Sequence, residues 1–171
     1  MTEPAPRPTI IFLHGTVLAG SAWSAQVAAL GDAFDCLTPD LPGHGTARGV
    51  PFTIDAAVDR VVDLIERQAQ DGRALLVGLS LGGYVAMALA GRRPELVAGL
   101  AIAGATADPV GLQSLGFRAL ATVFQVVPEP ILDAVYRWFF RLRFRAPIAD
   151  PILADGFSFA GGAVALRYAC R

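Results

Sequence analysis

The sequence contains 171 residues, of which 54% are hydrophobic and 17% are charged, and its formal net charge is -1. This length and apolar content predict one domain large enough to bury a core, and they exclude an intrinsically disordered chain. Because the charge is nearly balanced, we do not expect nucleic acid or another polyanion as a partner.

The cysteines and the first residues indicate a cytoplasmic protein. Cys36 and Cys170 are too few for a disulfide framework, which favours a reducing compartment. The opening "MTEPAPRPT" lacks the basic region and apolar core of a signal peptide. No window reaches the roughly 18 consecutive apolar residues of a membrane span. We therefore expect a cytoplasmic location and no membrane partner.

Short apolar runs alternate with helical patterns along the first part of the chain. Strands are predicted at 9–13, 74–80 and 96–105, and a further short strand is predicted at the start of 34–45, before its Pro/Gly turn. Helices are predicted over 21–30, after an N-cap at Thr53, and from 82 to just before Pro94. This alternation predicts an α/β fold with a parallel sheet covered by helices on both faces. The loops that follow the strands then meet at one edge, where such sheets place their ligand sites.

The alternation stops after Asp108. Two amphipathic helices are predicted over 114–127 and 131–144, and residues 146–171 form short, ambiguous segments. We predict a core region over residues 1–108 and a helical segment over 109–171.

One motif in this pattern points to chemistry. Residues 78–82 read Gly-Leu-Ser-Leu-Gly and fit G-x-S-x-G, directly after a predicted strand and before a predicted helix. A tight strand-to-helix turn of this kind exposes the serine hydroxyl, and its glycines let strand and helix approach closely. The alternative is an ordinary glycine-rich turn with a solvent-facing Ser80. Nucleotide-binding motifs are excluded, since G-x-G-x-x-G and the lysine of a P-loop are both absent.

The segments "IIFLHG", "DLPGHG" and "VGLSLGGYVAMALA" resemble the α/β-hydrolase fold family, in its serine-nucleophile branch. The resemblance implies that Ser80 is the nucleophile and that the backbone N–H groups of Thr16 and Leu81 form the oxyanion hole. It also implies that 109–171 begins the family's cap. The expected chemistry is hydrolysis of an ester, lactone or thioester through an acyl-enzyme. The expected substrate is small and apolar, with no metal or organic cofactor.

The partners that a reactive serine needs are not evident in the chain. In this fold the acid and then the histidine follow the serine, whereas His14 and His44 both precede Ser80. We expect His14 and His44 to order loops rather than to act as base, and Asp108 is only a weak candidate for the acid. The resemblance therefore implies that the C-terminal part of the fold is missing and that catalysis is impaired. The alternative is a truncated, non-catalytic product or binding module that keeps an apolar pocket.

The second cap helix combines aromatic residues with arginines at positions 137, 141 and 145. The favoured interpretation is a cap helix whose aromatic side chains cover an acyl pocket. The alternative is an interfacial helix that contacts anionic lipid. A sheet that ends at the strand 96–105 would also expose an apolar edge, which predicts self-association through that edge.

Overall fold

The sheet is the centre of the fold. The computed structural model describes residues 7–105 and 112–168. Within them, four strands form one sheet in the order β2-β1-β3-β4, and every neighbouring pair is parallel. The strands are β1 (Thr9–Leu13), β2 (Asp35–Leu37), β3 (Ala74–Leu79) and β4 (Val97–Ala103). The predicted parallel α/β sheet is therefore confirmed.

Helices alternate with the strands and then continue without them. The first three are α1 (Ser24–Leu30), α2 (Ile54–Gln68) and α3 (Leu81–Arg92). After β4 come α4 (Leu112–Val126), α5 (Glu129–Arg143), α6 (Ala146–Asp155) and α7 (Phe159–Tyr168). None of the helices in the described ranges is long and apolar enough to cross a membrane.

Helix α2 begins where its sequence signals predict. The Thr53 hydroxyl accepts a hydrogen bond from the Ala56 N–H at 2.9 Å, which satisfies one of the free donors in the first turn. One face of the helix, including Val58, Val61 and Ile65, is buried against the sheet. This packing holds the loops on either side of α2 in place.

The segment beyond residue 145 contains two helices that the sequence pattern does not reveal. Pro151 lies inside α6, and glycines interrupt the apolar pattern of α7. Helix α7 also packs against the hydrophobic core that β1 and β3 form with α2 and α3. Ala165 is fully buried in this core, and the Tyr168 ring lies 6.0 Å from the Phe52 ring. The division of the chain at residue 108 stays a prediction.

Strand β4 lies at the end of the strand order. Its side chains Leu100 and Ile102 are exposed by 44% and 36%, whereas every residue of the inner strand β1 is buried. Self-association through this edge stays a prediction.

Candidate functional site

The loops after β1 and β3 meet at the carboxyl edge of the sheet. The two strands are neighbours, with Leu13 opposite Gly78, so that Thr16 and Ser80 follow at the same edge. The Gly82 N–H donates to the His14 carbonyl at 3.1 Å and ties the start of α3 to the loop after β1. The topology therefore brings together the predicted nucleophile and one predicted oxyanion donor.

Ser80 occupies a strained turn between β3 and α3. Its φ of 49° and ψ of -111° place a non-glycine residue in a sparsely populated region. The Ser80 N–H donates to the Ala103 carbonyl at 2.8 Å, and the Ser80 carbonyl accepts from Gly83 at 2.9 Å. The side chain makes no capping bond to the helix that it precedes. The backbone of Ser80 is thus fixed on both sides while its hydroxyl is left for another partner.

Ser80 lines an apolar cavity of about 330 Å³ between the sheet edge and the helices that follow it. The floor comes from the loops at Gly15–Leu18 and Leu79–Ser80. The walls are aromatic and aliphatic side chains of α4, α5 and α7. They are Phe117, Leu120, Phe124, Tyr136, Phe139, Phe140 and Leu166. The cavity therefore suits an apolar group attached to the atom that meets Ser80.

The backbone N–H groups of Thr16 and Leu81 lie beside Ser80. Neither group has a hydrogen-bond acceptor within the described part of the chain. Val17, next to Thr16, has a φ of 63°, which is strained for a β-branched residue. This conformation is held by the C-terminal part of the chain, since the Ser158 N–H donates to the Val17 carbonyl at 2.9 Å. The loop that carries Thr16 is therefore fixed with its N–H unpaired.

His14 orders this loop, as predicted. Its Nδ1 lies 2.9 Å from the Gly15 carbonyl, and its Nε2 accepts a hydrogen bond from the Leu41 N–H at 2.9 Å. The ring is fully buried, and this burial lowers the pKa of His14 to about 4, with only partial compensation from the bond to Gly15. Both nitrogens of His14 are therefore occupied in a neutral ring.

His44 is also buried and does not line the cavity that contains Ser80. Its Nδ1 lies 2.9 Å from the Pro42 carbonyl, whereas its Nε2 is buried without a hydrogen-bond partner in the described structure. Burial lowers the pKa of His44 as well. Neither histidine is bonded to Ser80. Asp108, the weak candidate for the acid, lies outside the described residues.

Asp40 organises the edge in a way that the sequence analysis missed. Its carboxylate accepts hydrogen bonds from the Gly20 N–H at 2.8 Å and from the Thr46 N–H and hydroxyl at 2.8 and 2.7 Å. Burial alone would raise the pKa of Asp40, but these bonds hold it below its usual value. The available signal was an aspartate directly before the Pro/Gly turn of "DLPGHG", a residue type that commonly caps turns.

No other depression or cluster considered in the described residues combines a nucleophile with an apolar cavity. An open depression of about 450 Å³ lies at the opposite end of the strands, between Arg7, Asp35, Cys36 and Gln68. Although it is larger than the cavity at Ser80, it receives none of the loops from the carboxyl edge. Within 7–105 and 112–168, no group of three or more histidine, cysteine, aspartate or glutamate residues could hold a metal ion.

The strain at Ser80 predicts the effect of relieving it. We expect Ser80→Gly to raise the free energy of unfolding by about 1 kcal/mol, because glycine adopts positive φ without cost. The matched control is Ser24→Gly, at a residue with ordinary helical angles of -54° and -38°; we expect a loss of roughly 0.5–1 kcal/mol there. Urea denaturation followed by circular dichroism measures both. If both variants lost the same free energy of unfolding, the backbone of Ser80 would not be strained.

Comparisons with known proteins agree with this architecture. Lipase LipV of Mycobacterium tuberculosis is 37% identical over 100 residues, which cover 58% of this chain and 38% of the lipase. A pimeloyl-(acyl-carrier protein) methyl ester esterase of Nitrosomonas europaea is 36% identical over 101 residues, covering 58% of this chain and 38% of the esterase. A thermophilic esterase from Thermogutta terrifontis superposes with a TM-score of 0.74 at 26% identity.

That superposition covers 97% of this chain and 64% of the thermophilic esterase, so the chain spans less than two thirds of the esterase's length. The matched stretches span little more than a third of the two curated relatives. The model of the Alpha/beta hydrolase family matches residues 10–171, which include the sheet, the serine turn and the helices over the cavity. The chain therefore belongs to the alpha/beta hydrolase family.

Proposed function

We propose that the site performs acyl transfer to water. The Ser80 oxygen attacks an ester, lactone or thioester carbonyl, and the carbonyl's bond to the alcohol or thiol breaks as the acyl-enzyme forms. Water then hydrolyses the acyl-enzyme, which releases the acid and restores Ser80. The observation that carries this proposal is the Ser80 turn, whose strained backbone holds a serine with an uncapped hydroxyl in the lining of an apolar cavity. The N-terminus of α3 points at the same place and favours the negative charge that develops on the attacked oxygen.

The N–H groups of Thr16 and Leu81 would bind that oxygen. They lie in the two loops that meet beside Ser80, and neither has an acceptor among the residues described. A donor of this kind, held in place before the reaction, lowers the barrier by roughly 3–4 kcal/mol. The bond from Ser158 to the Val17 carbonyl supports this role, because it fixes the chain next to Thr16.

The cavity supports an apolar acyl group as substrate. Its walls are mainly phenylalanine and leucine, and Tyr136 is the one wall residue with a polar group among those described. The similarity to a lipase and to a methyl ester esterase supports the same class of bond. We propose a cytoplasmic location for this activity, with no metal or organic cofactor.

The general base is not supplied by either histidine. His14 has both ring nitrogens occupied, and His44 is buried away from the cavity. A serine hydroxyl without a base is a weak nucleophile. We therefore propose that the chain of these 171 residues turns over esters slowly. The same observations favour a second candidate function, a binding module that holds apolar acyl groups without turnover.

A covalent label separates these two functions. We expect a fluorophosphonate to label the 171-residue chain slowly at Ser80, as identified by mass spectrometry, and we expect Ser80→Ala to abolish the label. Hydrolysis of short p-nitrophenyl esters should also be slower in Ser80→Ala. Ser24→Ala, at a serine outside the cavity, is the matched control and should change neither rate. Equal ester hydrolysis in all three proteins, with no label at Ser80, would instead assign the cavity to binding alone.

A further inference from the structure

Helices α4 and α5 carry most of the exposed large apolar side chains among the described residues. Fourteen large hydrophobic side chains in the described ranges are exposed, and nine of them lie on these two helices. Four of the nine, the α5 outer face, lie within roughly 60° of one another around the helix at 100° per residue. They are Ile131, Val135, Trp138 and Leu142, exposed by 55%, 53%, 66% and 71%. A contiguous apolar stripe of this kind marks an interaction surface.

The opposite side of α5 explains why this stripe is not simply the lining of the cavity. Tyr136 and Phe140 point inward, Phe140 is 8% exposed, and both line the cavity. The helix is therefore apolar on two sides, and only one of them is used by the fold. The side chains that line the cavity and the exposed stripe therefore lie on different faces of α5.

Positive charge accompanies the exposed face. Residues 112–145 contain five arginines and two carboxylates, a net charge of +3, so the remainder of the chain carries -4 to give the total of -1. Arg141 follows Trp138 by three residues on α5, and Arg145 lies just beyond the end of this helix at Arg143. Neither arginine forms an ion pair with a described carboxylate. An apolar stripe flanked by unpaired arginines complements a surface of acyl chains and anionic headgroups.

The cavity opens at this same surface. Leu120 and Phe139 line the cavity and are also exposed by 39% and 47%. We infer that the α5 outer face docks on an anionic lipid surface, with the helix lying in the interface and the mouth of the cavity facing the lipid. A second copy of this chain is the competing occupant of the same face, and the variants below separate the two.

Vesicle binding tests this inference without catalysis. The 171-residue chain is mixed with vesicles of phosphatidylcholine, or of equimolar phosphatidylcholine and phosphatidylglycerol, and bound protein is measured by flotation. We expect binding to the anionic vesicles, a blue shift of tryptophan emission, and weaker binding at high salt. Trp138→Phe should still bind but lose the shift. Ser80→Ala should bind like the wild type, which keeps this test independent of the proposed chemistry.

Matched arginine variants test the charge. Arg141→Gln with Arg145→Gln should lower the affinity for anionic vesicles by about tenfold or more. Arg60→Gln with Arg67→Gln, which removes two exposed charges from α2, should leave it unchanged. All four residues are exposed, and circular dichroism checks that folding is retained. Failure to bind anionic vesicles, or equal affinity in both double variants, would overturn the inference. A dimer that Trp138→Ser with Leu142→Ser dissociates, in a chain that binds no vesicles, would assign this face to a second copy.

Discussion

Replacing Gly82 by alanine should strongly destabilise the protein. A Cβ at this position would lie 2.2 Å from the Leu13 carbonyl oxygen and 2.5 Å from its carbon. Both are backbone atoms of a fully buried strand end, so β1 and α3 would have to separate. We expect a loss of more than about 4 kcal/mol, a large part of the stability of an ordinary domain. Separation would also break the bond from the Gly82 N–H to the His14 carbonyl.

Helix α3 offers a matched control for this change. Gly91 lies in the same helix, is exposed, and would place its Cβ within 4 Å of nothing. Gly91→Ala should therefore stabilise the protein by up to about 1 kcal/mol through helix propensity. Urea denaturation compares both variants with the wild type. Comparable unfolding midpoints for Gly82→Ala and Gly91→Ala would show that β1 and α3 are not packed as closely as described.

The close approach at Gly82 is a feature that the sequence could predict. G-x-S-x-G between a strand and a helix has one mechanical explanation, and the contacts at Gly78 and Gly82 agree with it. The bounds of β1 and the N-cap at Thr53 were predictable for the same kind of reason, because local residue types decide them. Local signals therefore accounted for the first half of the fold.

Helices α6 and α7 were not predictable in that way. Pro147, Pro151 and the glycines at 161 and 162 are poor helix formers, so tertiary packing must decide the conformation of this segment. Ser158, between the two helices, accepts hydrogen bonds from the Gly45 N–H at 3.2 Å and from Arg48 Nε at 3.1 Å. These partners lie more than a hundred residues earlier in the chain, and no local pattern reports such a contact.

The candidate site likewise has a part that local sequence signals predict and a part that depends on tertiary packing. Ser80, Thr16 and Leu81 were named from a local motif and a family resemblance, and the cavity that Ser80 lines required the packing of α4, α5 and α7. The two apolar sides of α5 could not be ranked from sequence, because both consist of large apolar residues at helical spacing. Only the packed structure shows which side is exposed.

Acidification should destabilise the protein well above the pH range in which carboxylates titrate. His14 has a pKa of about 4 in the folded state and an ordinary value of 6.5 when exposed, and burial lowers the pKa of His44 in the same direction. Between these values the unfolded chain binds more protons than the folded one. The stability that depends on neutral histidines is therefore complete above about pH 6.5 and is lost as the pH falls toward 4.

For His14 alone, a difference of about 2.5 pH units between the folded and unfolded pKa values corresponds to roughly 3 kcal/mol. Urea denaturation at intervals from pH 7.5 to 4.5 measures this dependence. His14→Gln should be less stable at neutral pH because the ring no longer bridges Gly15 and Leu41, but its stability should depend less steeply on pH. His44→Gln should reduce the slope in the same way. A wild-type stability that stays constant from pH 7 to pH 5 would mean that the two rings are not buried in neutral form, and the argument against either histidine as the base of Ser80 would fail with it.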